Sequence, residues 1–236
     1  MNMQAKRILL KISGEALAGE QGHGFDKEIV ANVAKQIASA VKAGAQVALV
    51  IGGGNFWRGR QNLDMDRSSA DYIGMLATVM NAICVQNALE AQGVKAIVQS
   101  AINIDRMTDP FDKRRAVEAL NNGNVVIFGG GTGHPFFSTD TTSALRAAEI
   151  GADALLFARK VDGIYDSDPA VNKNAKRYKE ISYLNFISQG LKAMDTTAVS
   201  LCMDNKIPVF CFGLYSSENV LFDALTGNLP DGTWIK

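Results

Sequence analysis

Along this chain, short unbroken runs of apolar residues alternate with longer stretches in which apolar positions recur every three or four residues. Ile29, Val33, Ile37 and Val41 lie four apart, the spacing of a helix buried along one face. Ala43 and Gly44 close that helix ahead of a strand at residues 46–51. Before it, "RILLKI" reads as an opening strand. The alternation predicts further helices at about 69–91, 113–121 and 141–150, and strands near 95–99, 125–128 and 154–158. After a polar excursion at 162–179, helices near 182–189 and 196–205 lead to a strand at 208–212, a short last helix and an edge strand at 233–235. Strands alternating with helices of this length imply an α/β fold, a mostly parallel central sheet covered on both faces. No linker, low-complexity tract or repeat divides the chain. Residues 1–236 therefore read as a single domain, with an N-terminal lobe to about 150 and a C-terminal lobe from about 151.

Composition narrows the class. With 236 residues, 47% of them hydrophobic, the chain has ample material for a core. Twenty-four Lys plus Arg balance 24 Asp plus Glu, so no net field draws it to nucleic acid or to an acidic membrane surface. Cys84, Cys202 and Cys211 are odd in number, lack C-x-x-C spacing and sit in apolar runs, as buried reduced thiols do. Lys11 interrupts the first apolar run too early for a signal sequence, and no segment reads as the roughly 20 apolar residues that span a bilayer. The expectation is a cytoplasmic protein with neither a membrane nor a nucleic-acid partner.

Two strands end in triple glycine: "VALVIGGGNFWRG" runs into Gly52, Gly53 and Gly54, and "VVIFGGGTGHPFFSTD" into Gly129, Gly130 and Gly131. In an open α/β sheet, ligands bind beyond the carboxyl ends of the strands. Glycine there lets the backbone turn and aim N–H groups at phosphate oxygens. Lys11 lies inside the first strand, two residues before Ser13. A cation so placed is costly to bury unless it meets an anion, and it suits electrostatic stabilisation of phosphoryl transfer; the alternative is an edge residue. Arg58 offers a planar fork to the same phosphates, or is a solvated loop arginine. Asp140 is either an N-cap, a carboxylate fixing Lys11, or both. In "KVDGIYDSDPA", a turn-rich β-hairpin puts Tyr165 forward as a stacking face and Asp168 as an acceptor, against the alternative of a solvated hairpin.

Other chemistries lose ground. Neither the P-loop nor the dinucleotide fingerprint occurs. His23 and His134 lack zinc-site spacing, the 162–168 segment lacks the terminal Glu of a calcium loop, and no G-x-S-x-G marks a hydrolase.

Together the motifs resemble the bacterial UMP kinases of the amino acid kinase superfamily. "KRILLKISGEAL", "VIGGGNFWRG", "GMLATVMNA", "GTGHPFFSTD", "KVDGIYDSDP" and "LKAMDTTA" carry the resemblance nearly end to end. It implies a three-layer αβα sandwich that transfers the γ-phosphoryl of ATP to UMP, a step of pyrimidine nucleotide biosynthesis, with Mg²⁺ on the ATP phosphates and no metal site of the protein's own. By the resemblance, Lys11, Ile12, Ser13 and Gly14 meet ATP with Gly54 and Arg58, and Tyr165 and Asp168 touch the adenosine. Gly53 and Asp71 meet UMP, as does the cradle Thr132, Gly133, His134, Pro135, Phe136, Phe137, Ser138 and Thr139. Lys11, Arg58, Asp140 and Asp195 are the catalytic group, with the N-terminal lobe holding UMP and the C-terminal lobe ATP. The resemblance further implies a homohexamer, inhibition by UTP and activation by GTP, the last through Gly19, Glu20, Gln21, Gly22, His23 and Gly24. Sequence physics alone reads that segment as a flexible glycine turn.

Two positions depart from the family pattern. His134 replaces a usual Asn, which points to pH-dependent UMP affinity. Arg159 replaces a small polar ATP contact; by position it is counted with the ATP-binding residues, with the alternative that it turns away to pair with an acidic neighbour. The alternatives are a carboxylate or carbamate kinase of the same superfamily, disfavoured by "GTGHPFFSTD" with Asp71, and a non-catalytic nucleotide-binding storage or sensor protein, disfavoured by the presence of Lys11, Arg58 and Asp140 together.

Overall fold

A computed structural model describes residues 6–57 and 65–236. The described strands are β1 (Arg7–Ile12), β2 (Gln46–Ile51), β3 (Ala96–Ser100), β4 (Asp109–Pro110), β5 (Val125–Gly129), β6 (Ala154–Arg159), β7 (Glu180–Ile181), β8 (Val209–Gly213) and β9 (Gly232–Ile235). They form one sheet in the order β4-β3-β5-β2-β1-β6-β8-β9-β7, parallel except where β9 runs antiparallel to β8. The helices are α1 (Glu15–Ala18), α2 (Lys27–Lys42), α3 (Arg67–Ala91), α4 (Lys113–Asn121), α5 (Thr139–Ile150), α6 (Tyr183–Ser188), α7 (Thr196–Asp204) and α8 (Val220–Leu225).

Neighbouring strand residues point to opposite faces, so an all-apolar strand supplies two cores at once. Leu10, Leu49, Ile127 and Leu156 pack with α1, α2, α3 and α8. Leu9, Val50, Val126 and Phe157 pack with α4, α5, α6 and α7. The result is a three-layer αβα sandwich. The order reverses at its middle, where β1 lies between β2, which follows it, and β6, which opens the second half of the chain. That reversal leaves a crevice at the carboxyl ends of β1 and β6.

Four expectations need correction. The strand near Thr233 is not at an edge, because the two-residue β7 pairs with its far side; so short an element leaves no periodic signal. The segment 162–179 is no hairpin but an irregular loop closed by a single bridge between Tyr165 and Arg177. Its Asp166, Asp168 and Asn172 side chains accept from nearby backbone amides, which competes with strand pairing. The segment 19–24 holds a 3₁₀ turn, Gly19–Gln21, followed by Gly24, whose N–H and C=O both bond to Asn55, rather than a loose glycine turn. Finally, α3 is 25 residues long and contains an 18-residue stretch of mean hydropathy 1.3, enough by length and composition to cross a bilayer. Here its apolar length is used otherwise: Ala82, Val85 and Leu89 pack into the core against the sheet.

Candidate active site

Lys11 sits in β1 directly between Val50 of β2 and Phe157 of β6. Its ammonium lies 5.5 Å from the Phe157 ring centroid and 2.9 Å from Asp140 Oδ1, with the two side chains only 11% and 15% exposed. Asp140 reaches it from the first turn of α5. The N-cap of that helix is Ser138, whose hydroxyl accepts from the Asp140 and Thr141 amides. The structure thus separates the two roles the sequence allowed for Asp140. Capping falls to Ser138, and the carboxylate is left for the lysine.

Burial works against the ionised Asp140. The Lys11 ammonium, by charge and hydrogen bond, then the charge of Arg159 and the Asp195 backbone amide outweigh it and hold the carboxyl below the usual range. Asp195 itself is the N-cap residue of α7 but makes no side-chain capping bond.

The glycine turns pack against one another. Gly52 N donates to Ile12 O, and a Cβ on Gly14 would fall 2.1 Å from Gly52 O. Only glycine at 14 lets the ends of β1 and β2 approach this closely. Both triplets are fastened to α3 by polar residues the sequence reading did not single out. Asn81 Nδ2 donates to Gly52 O at 2.6 Å and pairs with Asn55, while the Thr78 hydroxyl accepts from Gly130 N at 2.9 Å. Their signal was present: both interrupt the apolar stretch 73–85 of the helix, and buried polar groups need partners.

On the N-terminal half, Gly53, Asp71, Phe137, Ser138 and Thr139 line a cavity of about 130 Å³, joined there by Trp57 and Thr78. Asp71 Oδ2 accepts from Arg67 Nε at 2.8 Å and from Phe136 N at 2.7 Å, tying the loop to α3. Phe136 holds φ at +73°, a left-handed conformation rare for a bulky residue. Thr132 and His134 bond chiefly to each other, and with Gly133, Pro135 and Phe136 they form the outer part of the loop, not the cavity wall.

On the C-terminal half, Arg159, Tyr165 and Asp168 line a cavity of about 440 Å³ with Leu191, Lys192 and Ala193. The Tyr165 hydroxyl donates to Asp162, and one Asp168 oxygen accepts from Ala170 N. A third cavity, of about 580 Å³, joins Ser13 to Gly19, Glu20, Gly22, Lys160 and Tyr215. Lys160 was missed in the sequence, although it stands next to Arg159 at the end of β6. Gly54 faces Glu15 on α1 rather than the cavity that Gly53 lines. Ile12 is fully buried. Arg58 lies outside the described residues.

Arg159 does not pair with an acidic neighbour. Among the described residues it forms no ion pair, and its Nη1 is buried without a hydrogen-bond partner.

Comparison with known proteins adds the context. The family described as "Amino acid kinase family" matches residues 6–213. Among solved structures, UMP kinase from Bacillus anthracis is 37% identical with a TM-score of 0.93, over 99% of this chain and 97% of that one. UMP kinase from Ureaplasma parvum is 38% identical with a TM-score of 0.91, over 99% of this chain and 100% of the other. Uridylate kinase from Archaeoglobus fulgidus is 28% identical with a TM-score of 0.73, over the whole of both chains.

Proposed function

The chain belongs to the amino acid kinase family, and on that footing we propose that it is a UMP kinase, transferring the γ-phosphoryl of ATP to UMP to give UDP and ADP. One observation carries the reading. In a chain similar over its full length to UMP kinases, the Lys11–Asp140 pair stands at the reversal of strand order, flanked by a cavity reaching Ser138 and Thr139 and another reaching Arg159 and Ala193. UMP takes the first, its ribose hydroxyls at Asp71, and ATP the second, its adenosine against Tyr165 and Asp168. The N-terminal half thus serves the acceptor and the C-terminal half the donor.

Phosphoryl transfer asks the protein chiefly for position and charge. Lys11 provides a buried ammonium for the transferring group, and Asp140 holds it in place. Mg²⁺ accompanies ATP and neutralises phosphate charge.

The same reading extends to assembly, regulation and setting. Tyr72, Leu76 and Met80 lie four apart on α3 and are 46–48% exposed, an apolar stripe suited to a second copy of the chain and so to a homohexamer built from dimers. UTP acts as inhibitor, and GTP as activator through the 3₁₀ turn. The enzyme works in the cytoplasm, in pyrimidine nucleotide biosynthesis.

The test is ADP release from ATP and Mg²⁺ with UMP, CMP, dUMP, AMP, acetylglutamate and carbamate as separate acceptors. Turnover confined to UMP is expected. Turnover only with a carboxylate or carbamate would move the acceptor class, and tight ATP binding without any turnover would favour a sensor or storage role.

A further inference from the structure

Arg159 ends β6, one residue past Ala158, whose register partner in β1 is Ile12; it therefore stands level with Ser13. Side chains alternate along a strand, so Arg159 shares a sheet face with Phe157, and Phe157 is paired with Lys11. Two cations thus occupy the same face at the ends of the two strands where the order reverses. Both act on Asp140, but only Lys11 bonds to it.

A buried guanidinium nitrogen with no partner is an uncommon expense in a native structure, since each such donor forfeits its hydration for nothing. The fold retains it where it lines the 440 Å³ cavity beside Tyr165 and Asp168. The carboxylates nearby do not claim it. Asp166 accepts from Lys176 N, Asp168 from Ala170 N, and Asp140 from Lys11. What is missing is an anion, and the place for it lies between the cavity and Lys11.

We propose that Arg159 is a second phosphate-holding cation of the donor site, donating from Nη1 to a non-transferring phosphate oxygen of the bound nucleoside triphosphate while Lys11 meets the transferring one. This rests on the kinase reading for the identity of the donor, and it assigns to this chain a charged contact where the family pattern has a small polar residue. A hydrogen bond to an ionised partner is among the stronger ones, and a guanidinium presents it in a fixed plane. Because it touches a phosphate that stays with the nucleotide, it holds ADP as well as ATP.

The experiment compares wild type with Arg159→Gln and Arg159→Lys by calorimetric titration with ATP, ADP and adenosine, alongside thermal melts without nucleotide. Arg159→Gln should weaken ATP and ADP about tenfold or more and leave adenosine unchanged. Arg159→Lys should recover part of the loss. The ligand-free melting temperature should move little in Arg159→Gln, because losing the attraction to Asp140 is offset by removing a buried donor without a partner. In turnover, the KM for ATP should move more than kcat. Unchanged ATP affinity in the folded variant would overturn the proposal, as would an equal loss for adenosine or a lowered melting temperature with ATP binding intact. These binding readouts stand apart from the acceptor assay. A wild type that turns over none of the acceptors refutes the kinase reading, and the ATP-to-adenosine comparison still decides Arg159.

Discussion

Asp140→Asn isolates the ion pair on which the site is built. At 2.9 Å, two unit charges at an effective dielectric of about 20 attract by roughly 6 kcal/mol, most of which is offset by the desolvation of both groups. Removing one partner exposes the other side of that balance. Lys11, 11% exposed, keeps its burial and loses its counter-ion, a change that typically destabilises a fold by about 3–5 kcal/mol. The asparagine Oδ1 still accepts a hydrogen bond, so the lower end, about 3 kcal/mol, is expected. Urea unfolding at pH 7 without nucleotide should show it as a lowered midpoint at unchanged m. Lys11→Met in the same chain should restore more than half of the loss, because no ammonium is then stranded, though Arg159 still lacks the Asp140 charge. The pH dependence has a fixed sign. The folded-state value of Asp140 is depressed, so its stabilisation is complete above the unfolded carboxyl value and is lost as pH falls through the folded one. Wild type and Asp140→Asn should therefore differ fully at pH 7 and converge below about pH 4. A loss under about 0.5 kcal/mol at pH 7, or a double variant no more stable than Asp140→Asn, would refute the reasoning.

Asp71→Asn should raise the acceptor KM by more than it lowers kcat, as loss of a uniform binding contact does; a fall in kcat alone would place Asp71 in the chemistry instead. Burial pushes the Cys202 and Cys211 thiols up to about 12, while Cys84 is only half-buried. Ellman's reagent at pH 8 should therefore titrate Cys84 in native protein and the other two only after unfolding, and rapid reaction of all three would contradict the packing. Leu76→Glu puts a charge in the middle of the exposed α3 stripe and should shift sedimentation toward smaller species; an unchanged profile would exclude that stripe from the assembly interface.

What the sequence disclosed depended on how far each signal extends along the chain. The long periodic segments were legible: α2 starts at Lys27 and β2 covers Gln46–Ile51, where apolar spacing is sustained for several turns or runs unbroken. Two-residue strands such as β4 and β7 were not, since pairing at that length depends on neighbours remote in sequence. The 162–179 segment was misread as a hairpin because Asp166 and Asp168 bond to nearby backbone amides, a competition with strand pairing that composition does not show. At the site, Lys11 and Asp140 were legible as a pair because a lysine inside an apolar strand calls for a partner. Thr78 and Asn81 were overlooked because their role appears only when α3 is laid across two strand ends. Arg159 was noticed as a departure and given the wrong neighbour: composition shows that a guanidinium needs an anion, but not that Asp140, the carboxylate its charge acts on, is bonded to Lys11.

The electrostatics of Asp140 also limit what it can do in catalysis. A general base must exchange a proton near the working pH, and a carboxyl held below its usual range by an ammonium, a guanidinium charge and a backbone amide stays ionised throughout that range. Such a group does not take up a proton as the acceptor attacks. The proposed reaction does not ask it to, since a phosphate monoester has its second ionisation near pH 6 and presents an attacking oxygen already charged at neutrality. The difficulty in joining two phosphates is instead the mutual repulsion of anions, and cations fixed before the substrates arrive address it directly. Asp140 holds the buried Lys11 ammonium in place while bonding only one of the two cations at the ends of β1 and β6. The surplus positive charge then faces the incoming nucleotide, and for this reason a carboxylate at the centre of the site can promote anion binding.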